Sequence, residues 1–200
     1  MSAMIRVATP QDAEGLLAIY APIVRDTVIS FELVPPTVAE MQQRVASTLE
    51  ALPWLVCERE GEILGYVYAS RYRPRAAYQW AVEVSVYIQA ACRRTGMGRA
   101  LYTSLFAALE LQGIRRFFAG ITLPNDASVG LHESLGFEPL GVYRSVGYKF
   151  GDWHDVGWWQ WPVQRDSTPP QPPIPLPEIR REGQAWERAI AAGQGLLRLE

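Results

Sequence analysis

The chain has 200 residues, of which 48% are hydrophobic, enough to bury a core as one domain or as one domain with an appendage. A formal net charge of -2 offers no general attraction to nucleic acid or to an anionic membrane, so cationic function must come from local clusters such as Arg71, Arg73 and Arg75. Cys57 and Cys92 give neither a disulfide framework nor a metal spacing, the start MSAMIRVATPQDAEG lacks the apolar run of a signal peptide, and nowhere are there about 18 consecutive apolar residues; a soluble, cytoplasmic protein without bound metal is expected.

MIRVA reads as a short strand, followed by a helix with Thr9 as N-cap, Pro10 at its first position and Leu16, Ile19, Tyr20 and Ile23 on one face. ISFEL is apolar but irregular and Pro35-Pro36 breaks the chain. A second helix then begins at a Thr37 to Glu40 capping box. WLVCERE and ILGYVYAS meet around Glu60-Gly61 as an antiparallel hairpin, and AVEVSVYI forms a further strand after the arginine-rich loop RYRPRAAYQW. Met97, Leu101, Leu105 and Leu109 recur at helical spacing up to Gly113, and the strand RRFFAGITL follows. Asn125 or Asp126 caps a short helix to about Leu135, and FEPLGVYRSVGYKF and WHDVGWWQWPV form a last antiparallel pair ending near Val163.

This alternation predicts an α/β or α+β domain with a mixed sheet over residues 1–165. Residues 166–200 change character: six prolines between positions 169 and 177 favour an extended segment, and Ile179, Trp186 and Ile190 can share a face of a short terminal helix. A tail that packs on its own domain or dangles is the plain reading; a proline-rich ligand for another protein is the alternative.

The stretch RRTGMGRA, residues 93–100, raises the chemical question. Glycines at 96 and 98 let backbone N–H groups approach a ligand closely, the helix beginning near Met97 adds unpaired amides and the positive end of its dipole, and Arg93, Arg94 and Arg99 supply charge. Together these suit a pyrophosphate, although such a turn is as often purely structural. Neither a dinucleotide fingerprint nor a Walker loop is present.

The flanking residues decide. VYIQAACRRTGMGRALYTSLFAALELQG resembles the coenzyme A signature of the GNAT acetyltransferase superfamily, in the Arg93-Arg94-Thr95-Gly96-Met97-Gly98 segment, and LPNDASVGLHESLGF resembles its next helix. The AYQWAVEVSVYI, GYKFGDWHDVGWWQ and PPIPLPEI stretches are similar to one branch, phosphinothricin N-acetyltransferase. The resemblance implies a GNAT-like mixed, largely antiparallel sheet flanked by helices, acetyl-CoA as cosubstrate, a small-molecule amine or amino acid as acceptor, and a homodimer, to which the aromatic residues of DVGWWQW could contribute if they are not core. It places the acetyl and pantetheine end on the backbone of Val86, Tyr87 and Ile88, and Asn125 and Ser128 along the pantetheine arm, with the 93–99 turn on the diphosphate.

Acetyl transfer needs a neutral amine, whereas an α-amino group with a pKa of about 8 is mostly protonated at neutral pH. Glu83 lies in the strand just before the coenzyme turn, where a carboxylate can act as base directly or through water; a solvent-facing glutamate is the alternative. In the family resembled, Glu83 matches the proposed catalytic glutamate and His132 occupies the position of a tyrosine acid in many relatives. His132 is expected to act as acid or in a proton relay with Glu83, or else to be structural. His154 is expected to anchor the last hairpin. No Ser-His-Asp arrangement is apparent and Cys92 sits beside the phosphate turn, so direct attack is favoured over an acyl-enzyme. For an acceptor with a second anion, Arg73, Arg75 and Tyr78 on the loop feeding the Glu83 strand are candidate contacts, with Phe31 as an apolar wall and Lys149 as a further cation; an ordinary solvated basic loop is the alternative. The competing functions are transfer to another small amine or to a protein N-terminus, and a non-catalytic acyl-CoA-binding module.

Overall fold

The computed structural model describes residues 3–162 and 169–198. The first strand, β1 (Met4–Val7), leads through a 3-10 turn at Pro10–Asp12 into α1 (Ala13–Asp26). Thr9 precedes the proline as expected, but the Asp12 carboxylate accepts the Thr9 amide at 2.7 Å and also binds Arg6, so regular α-helix starts only at Ala13. α2 (Val38–Leu49) begins at the predicted capping box, with the Glu40 amide donating to Thr37 and the Thr37 amide to the Glu40 carboxylate. β2 (Trp54–Arg59) and β3 (Glu62–Arg71) are joined at Glu60-Gly61, where both residues have positive φ (54° and 83°), the backbone of a tight two-residue hairpin.

Next come β4 (Ala81–Ile88), α3 (Met97–Leu111), β5 (Arg116–Leu123), α4 (Asp126–Ser134), β6 (Glu138–Lys149) and β7 (Asp152–Gln160). The seven strands make one sheet in the order β1-β2-β3-β4-β5-β7-β6, antiparallel throughout except where β4 meets β5. This is the mixed, largely antiparallel sheet anticipated from the sequence.

The two faces of the sheet carry separate cores. On one, α3 buries Leu101, Leu105 and Leu109 against Val82, Val84, Phe117, Ala119 and Ile121, with the Cys92 side chain buried among them. Each fully buried leucine there contributes about 1.5–3 kcal/mol of transfer free energy. On the other, α1 and α2 cover Trp54, Val56, Ile63 and Tyr66 with Leu16, Ile19, Tyr20, Met41 and Val45. Strand alternation assigns neighbouring residues of β4 to opposite cores, Val82 and Val84 to α3 and Tyr87 to the α1 side.

Beyond the proline-rich stretch the chain forms α5 (Leu176–Ile179) and α6 (Gln184–Ala191), and both dock on α3. Leu176, Ile179 and Trp186 are buried with Ala108, and Ile190 packs beside them, so the three predicted apolar positions do share an interface. Gln112 ties the proline-rich stretch to the domain: its side-chain amide donates to the carbonyls of Ala51 and Ile174, and the Ile174 amide donates to its backbone. The junction expected between residues 165 and 166, and Val163 at the end of the last predicted strand, lie outside the described residues.

Candidate active site

β4 and β5 run parallel and pair only at Ala81–Arg116, Val82–Phe117 and Glu83–Phe118. After Glu83 they separate, and the opening between them is lined by Val84, Ser85, Val86, Tyr87, Gly120, Thr122, Ile29, Tyr102, Asn125, Ser128 and His132. The backbone groups of β4 that would pair with β5 are thereby released. Ala81 accepts from Tyr72 and Gln89 donates to Leu64, so the odd-numbered residues of β4 face β3 and the alternation turns the N–H groups of Val86 and Ile88 toward the opening. Tyr87, expected in the same group, uses its backbone on β3 and packs its ring edge-on against Tyr20.

At the far end of β4 lies the turn before α3. Arg94 (φ 62°) and Gly96 (φ 80°) are both left-handed, which turns successive amides into one concavity. Among the described residues, the amides of residues 94–99 donate to no protein acceptor, while the amide of Ala100 is the first of the helix to be paired, to the carbonyl of Gly96. Six consecutive unpaired N–H groups at a helix start, beside Arg93 and Arg94 side chains that make no hydrogen bond or ion pair among the described residues, fit the diphosphate of the coenzyme.

The arginines and glycines of this turn divide their duties. The Arg99 guanidinium donates to the Ser134 carbonyl at the end of α4 and so braces the two helices. Gly98 leaves room for its neighbour: a Cβ there would lie 2.9 Å from the tip of the Leu131 side chain, which would have to shift. Gly96 is required by its φ, and also because a Cβ would lie 2.6 Å from the carbonyl oxygen of Leu196 in the C-terminal segment. Met97 contributes only backbone, since its side chain is buried in the α3 core. Thr95 turns its hydroxyl back onto the Cys92 carbonyl.

Glu83 projects to the face opposite α3. It stands across from Ser70 on β3 and Phe118 on β5, and its carboxylate pairs with Arg73 at 3.2 Å. Burial raises the Glu83 carboxyl above the usual range, and the Arg73 charge and hydrogen bond pull it partly back. Tyr72 stacks on Phe118 at 4.6 Å, under the Arg73 guanidinium, and meets the Trp158 ring edge-on, so the carboxylate sits beside an aromatic floor.

His132 belongs to the other face. It is only 3% exposed, its Nδ1 lies 2.8 Å from the Ser128 carbonyl and its Nε2 lies 2.9 Å from the Tyr102 hydroxyl. A carbonyl only accepts, so Nδ1 carries the proton and Nε2 accepts from Tyr102. Burial holds the imidazole below its usual pKa, against the Ser128 hydrogen bond, and keeps it neutral. Glu83 and His132 therefore occupy separate networks and share no hydrogen bond, so a direct relay between them, one of the roles expected for His132, has no contact to run through. Tyr102, which the sequence does not single out, lines the opening and is the side chain paired with His132 Nε2. Asn125 caps α4 by accepting the Ser128 amide at 3.1 Å and lines the same opening.

Of the remaining acceptor candidates, Arg75 and Tyr78 stay with Arg73: all three line a groove with Arg71, Gln112 and Pro173–Pro175, bounded by Val82 and Ile114 of the α3-side core. Phe31 packs on Gly147 and near His154, and Ile29 takes the place at the opening. Lys149 is structural: its buried ammonium donates to the carbonyls of Val24, at the end of α1, and Ser30. His154 contacts the Lys149 carbonyl at 3.0 Å and anchors the hairpin as expected. Among the described residues no cluster of His, Cys, Asp or Glu could hold a metal ion, and no helix is long and apolar enough to cross a membrane.

A splayed parallel pair with a half-buried carboxylate at its root, and an amide nest at the far end of β4, fit an acyl-coenzyme-dependent transferase. Residues 5–158 match the family model described as an acetyltransferase (GNAT) domain, and the chain belongs to that family and is an N-acetyltransferase. A curated relative from Streptomyces viridochromogenes named phosphinothricin N-acetyltransferase is 41% identical over 172 residues, covering 86% of this chain and 92% of that protein. A Pseudomonas paraeruginosa relative named L-methionine sulfoximine/L-methionine sulfone acetyltransferase is 38% identical, covering 80% and 94% respectively. The crystal structure of a phosphinothricin acetyltransferase from Sinorhizobium meliloti in complex with acetyl-CoA superposes with a TM-score of 0.79 at 34% identity, covering 86% of this chain and 94% of that one. The branch that the sequence resembled is the one its relatives carry.

Proposed function

We propose that the chain transfers acetyl from acetyl-CoA, by direct attack, to the α-amino group of phosphinothricin or a similar amino-acid analogue of the methionine sulfone or sulfoximine type. The observation that carries this reading is the placement of Glu83, a half-buried carboxylate with a raised pKa beside the opening of the strands and in contact with an arginine. Acetyl-CoA supplies the activated acetyl group; the turn at residues 93–99 would hold its diphosphate, and Val86, Ile88, Asn125 and Ser128 its pantetheine end. Glu83 removes the proton of the amine, directly or through a water. Arg73, already in contact with Glu83, is the cation best placed to receive the acceptor's anionic group.

His132 acts through Tyr102 in this reading. A neutral imidazole that accepts at Nε2 cannot itself donate there, so it orients the Tyr102 hydroxyl. That hydroxyl, whose own pKa burial raises, stays protonated; its single proton rests on Nε2 in the free chain and turns from there to the charge that develops on the departing sulfur.

Thiol release measured with acetyl-CoA and a panel of these amino acids tests the substrate class. Turnover is expected with the doubly anionic or sulfone-bearing amino acids and not with cationic amines; turnover of other small amines or peptide N-termini alone overturns the acceptor assignment, and binding without turnover on any amine overturns the enzyme reading. A homodimer is part of the same reading. Leu140, Val142, Tyr143, Val146 and Tyr148 are exposed on the edge strand β6 and Phe150 in its turn, whereas Trp159 of DVGWWQW is core. Sedimentation equilibrium is expected to give twice the chain mass of 22.4 kDa, and Tyr148→Glu with Phe150→Glu to give a monomer; a monomeric wild type sinks the dimer.

A further inference from the structure

The family match ends at residue 158, yet the C-terminal segment reaches back to the coenzyme turn. Four hydrogen-bond anchors fix its course. The Ser104 hydroxyl of α3 donates to the Ile190 carbonyl at 2.7 Å and accepts the Gly193 amide at 3.1 Å. Gln194 accepts the Ile5 amide at 2.9 Å and donates to the Ala3 carbonyl, next to the edge strand β1. Leu197 then packs on the α3-side core, and the Arg198 amide donates to the Thr95 carbonyl at 2.9 Å.

That last bond ends the segment on the turn itself. The Leu196 carbonyl occupies the space where a Cβ of Gly96 would stand, and the Arg198 Cγ lies 3.9 Å from the same point. The Arg198 side chain is exposed and, like those of Arg93 and Arg94, has no carboxylate partner among the described residues. Three guanidinium groups attached at one turn without a countercharge repel one another, and an anion placed among them relieves that repulsion.

We propose that the C-terminal segment completes the coenzyme site: Arg198 is a binding residue for the coenzyme's phosphate groups, presented by a tail that the matched domain does not include. The inference rests on the reading of the 93–99 turn as the coenzyme site. It assigns the tail a task besides covering α3. The Arg198 amide donates to the Thr95 carbonyl, so the residue that carries the charge is fixed by its own backbone to the turn it serves.

Isothermal titration of the full chain with acetyl-CoA tests this. Arg198→Ala is expected to weaken binding about fivefold, as loss of one exposed charge-assisted contact does, and to flatten the dependence of affinity on salt, while Arg198→Lys recovers part of the loss. kcat at saturating acetyl-CoA and the melting temperature without coenzyme should not change. Titration with 3′-dephospho-coenzyme A locates the contact: a retained fivefold loss puts it on the diphosphate, a vanished one on the 3′-phosphate. Wild-type affinity and salt dependence in Arg198→Ala, alongside clear weakening in Arg93→Ala/Arg94→Ala, overturn the role of the tail and leave the turn standing. Wild-type affinity in the Arg93/Arg94 double variant as well overturns the coenzyme reading of the turn.

Discussion

Glu83→Gln is expected to lower kcat about 10²–10⁴-fold, the range general-base catalysis supplies, with acetyl-CoA affinity unchanged. Glutamine keeps the shape and the hydrogen bond to Arg73 but cannot take a proton. The carboxylate is on the face opposite α3 and away from the amide nest, so nothing that holds the coenzyme is removed. The pH profile gives a second readout. Burial raises the Glu83 carboxyl, so the wild-type rate should fall with decreasing pH through a value above the ordinary carboxylate range, and that limb should disappear in the variant. Arg73→Ala moves the same limb in a known direction: the arginine lowers the carboxyl pKa, so its removal shifts the limb to higher pH. Stability should change little, because the pair is partly exposed and such pairs contribute about 0–1 kcal/mol. A kcat within a few fold of wild type in Glu83→Gln would remove Glu83 from the base role, and a limb that stays in place would assign the titration to another group.

Most of the fold was legible because local rules agreed along the chain. The Thr37 to Glu40 box, the Glu60-Gly61 hairpin and the leucine spacing of α3 each specify an element from residues close in sequence. The glycine turn before α3 was legible for the same reason: its glycines, its charges and its helix start are contiguous. What stayed hidden depends on contacts between distant segments. Alternation along AVEVSVYI puts Glu83 and Val84 on opposite faces, but only the path of α3 and α4 reveals that His132 belongs to the Val84 side. Arg73, Arg75 and Tyr78 line one groove, but that the proline-rich stretch forms part of its wall could not be read from the loop alone. Nothing near Tyr102 in the sequence singles it out; its hydroxyl has meaning only beside an imidazole 30 residues away. The approach of Leu196 and Arg198 to Gly96 likewise spans about half the chain, with no local pattern to announce it.

The separation of the two networks has a measurable consequence. Tyr102→Phe deletes one oxygen in a fully buried ring and leaves the Nε2 lone pair of His132 without its donor, so kcat should fall about tenfold while acetyl-CoA affinity holds. His132→Phe keeps a ring where the imidazole meets Tyr102 and Phe137 edge-on but leaves the Tyr102 hydroxyl without its acceptor; a loss of about tenfold, no larger than that of Tyr102→Phe, is expected of a residue that acts through Tyr102. Because His132 works by holding Tyr102, the double variant should be no slower than Tyr102→Phe alone, the non-additivity of residues that act as a unit. Arg73→Ala combined with Tyr102→Phe should instead multiply the two single losses, since Arg73 belongs to the Glu83 network across the sheet. Multiplicative losses in the first pair would mean that histidine and tyrosine act independently, and coupling in the second would mean that the two faces of the opening share a path that these hydrogen bonds do not contain.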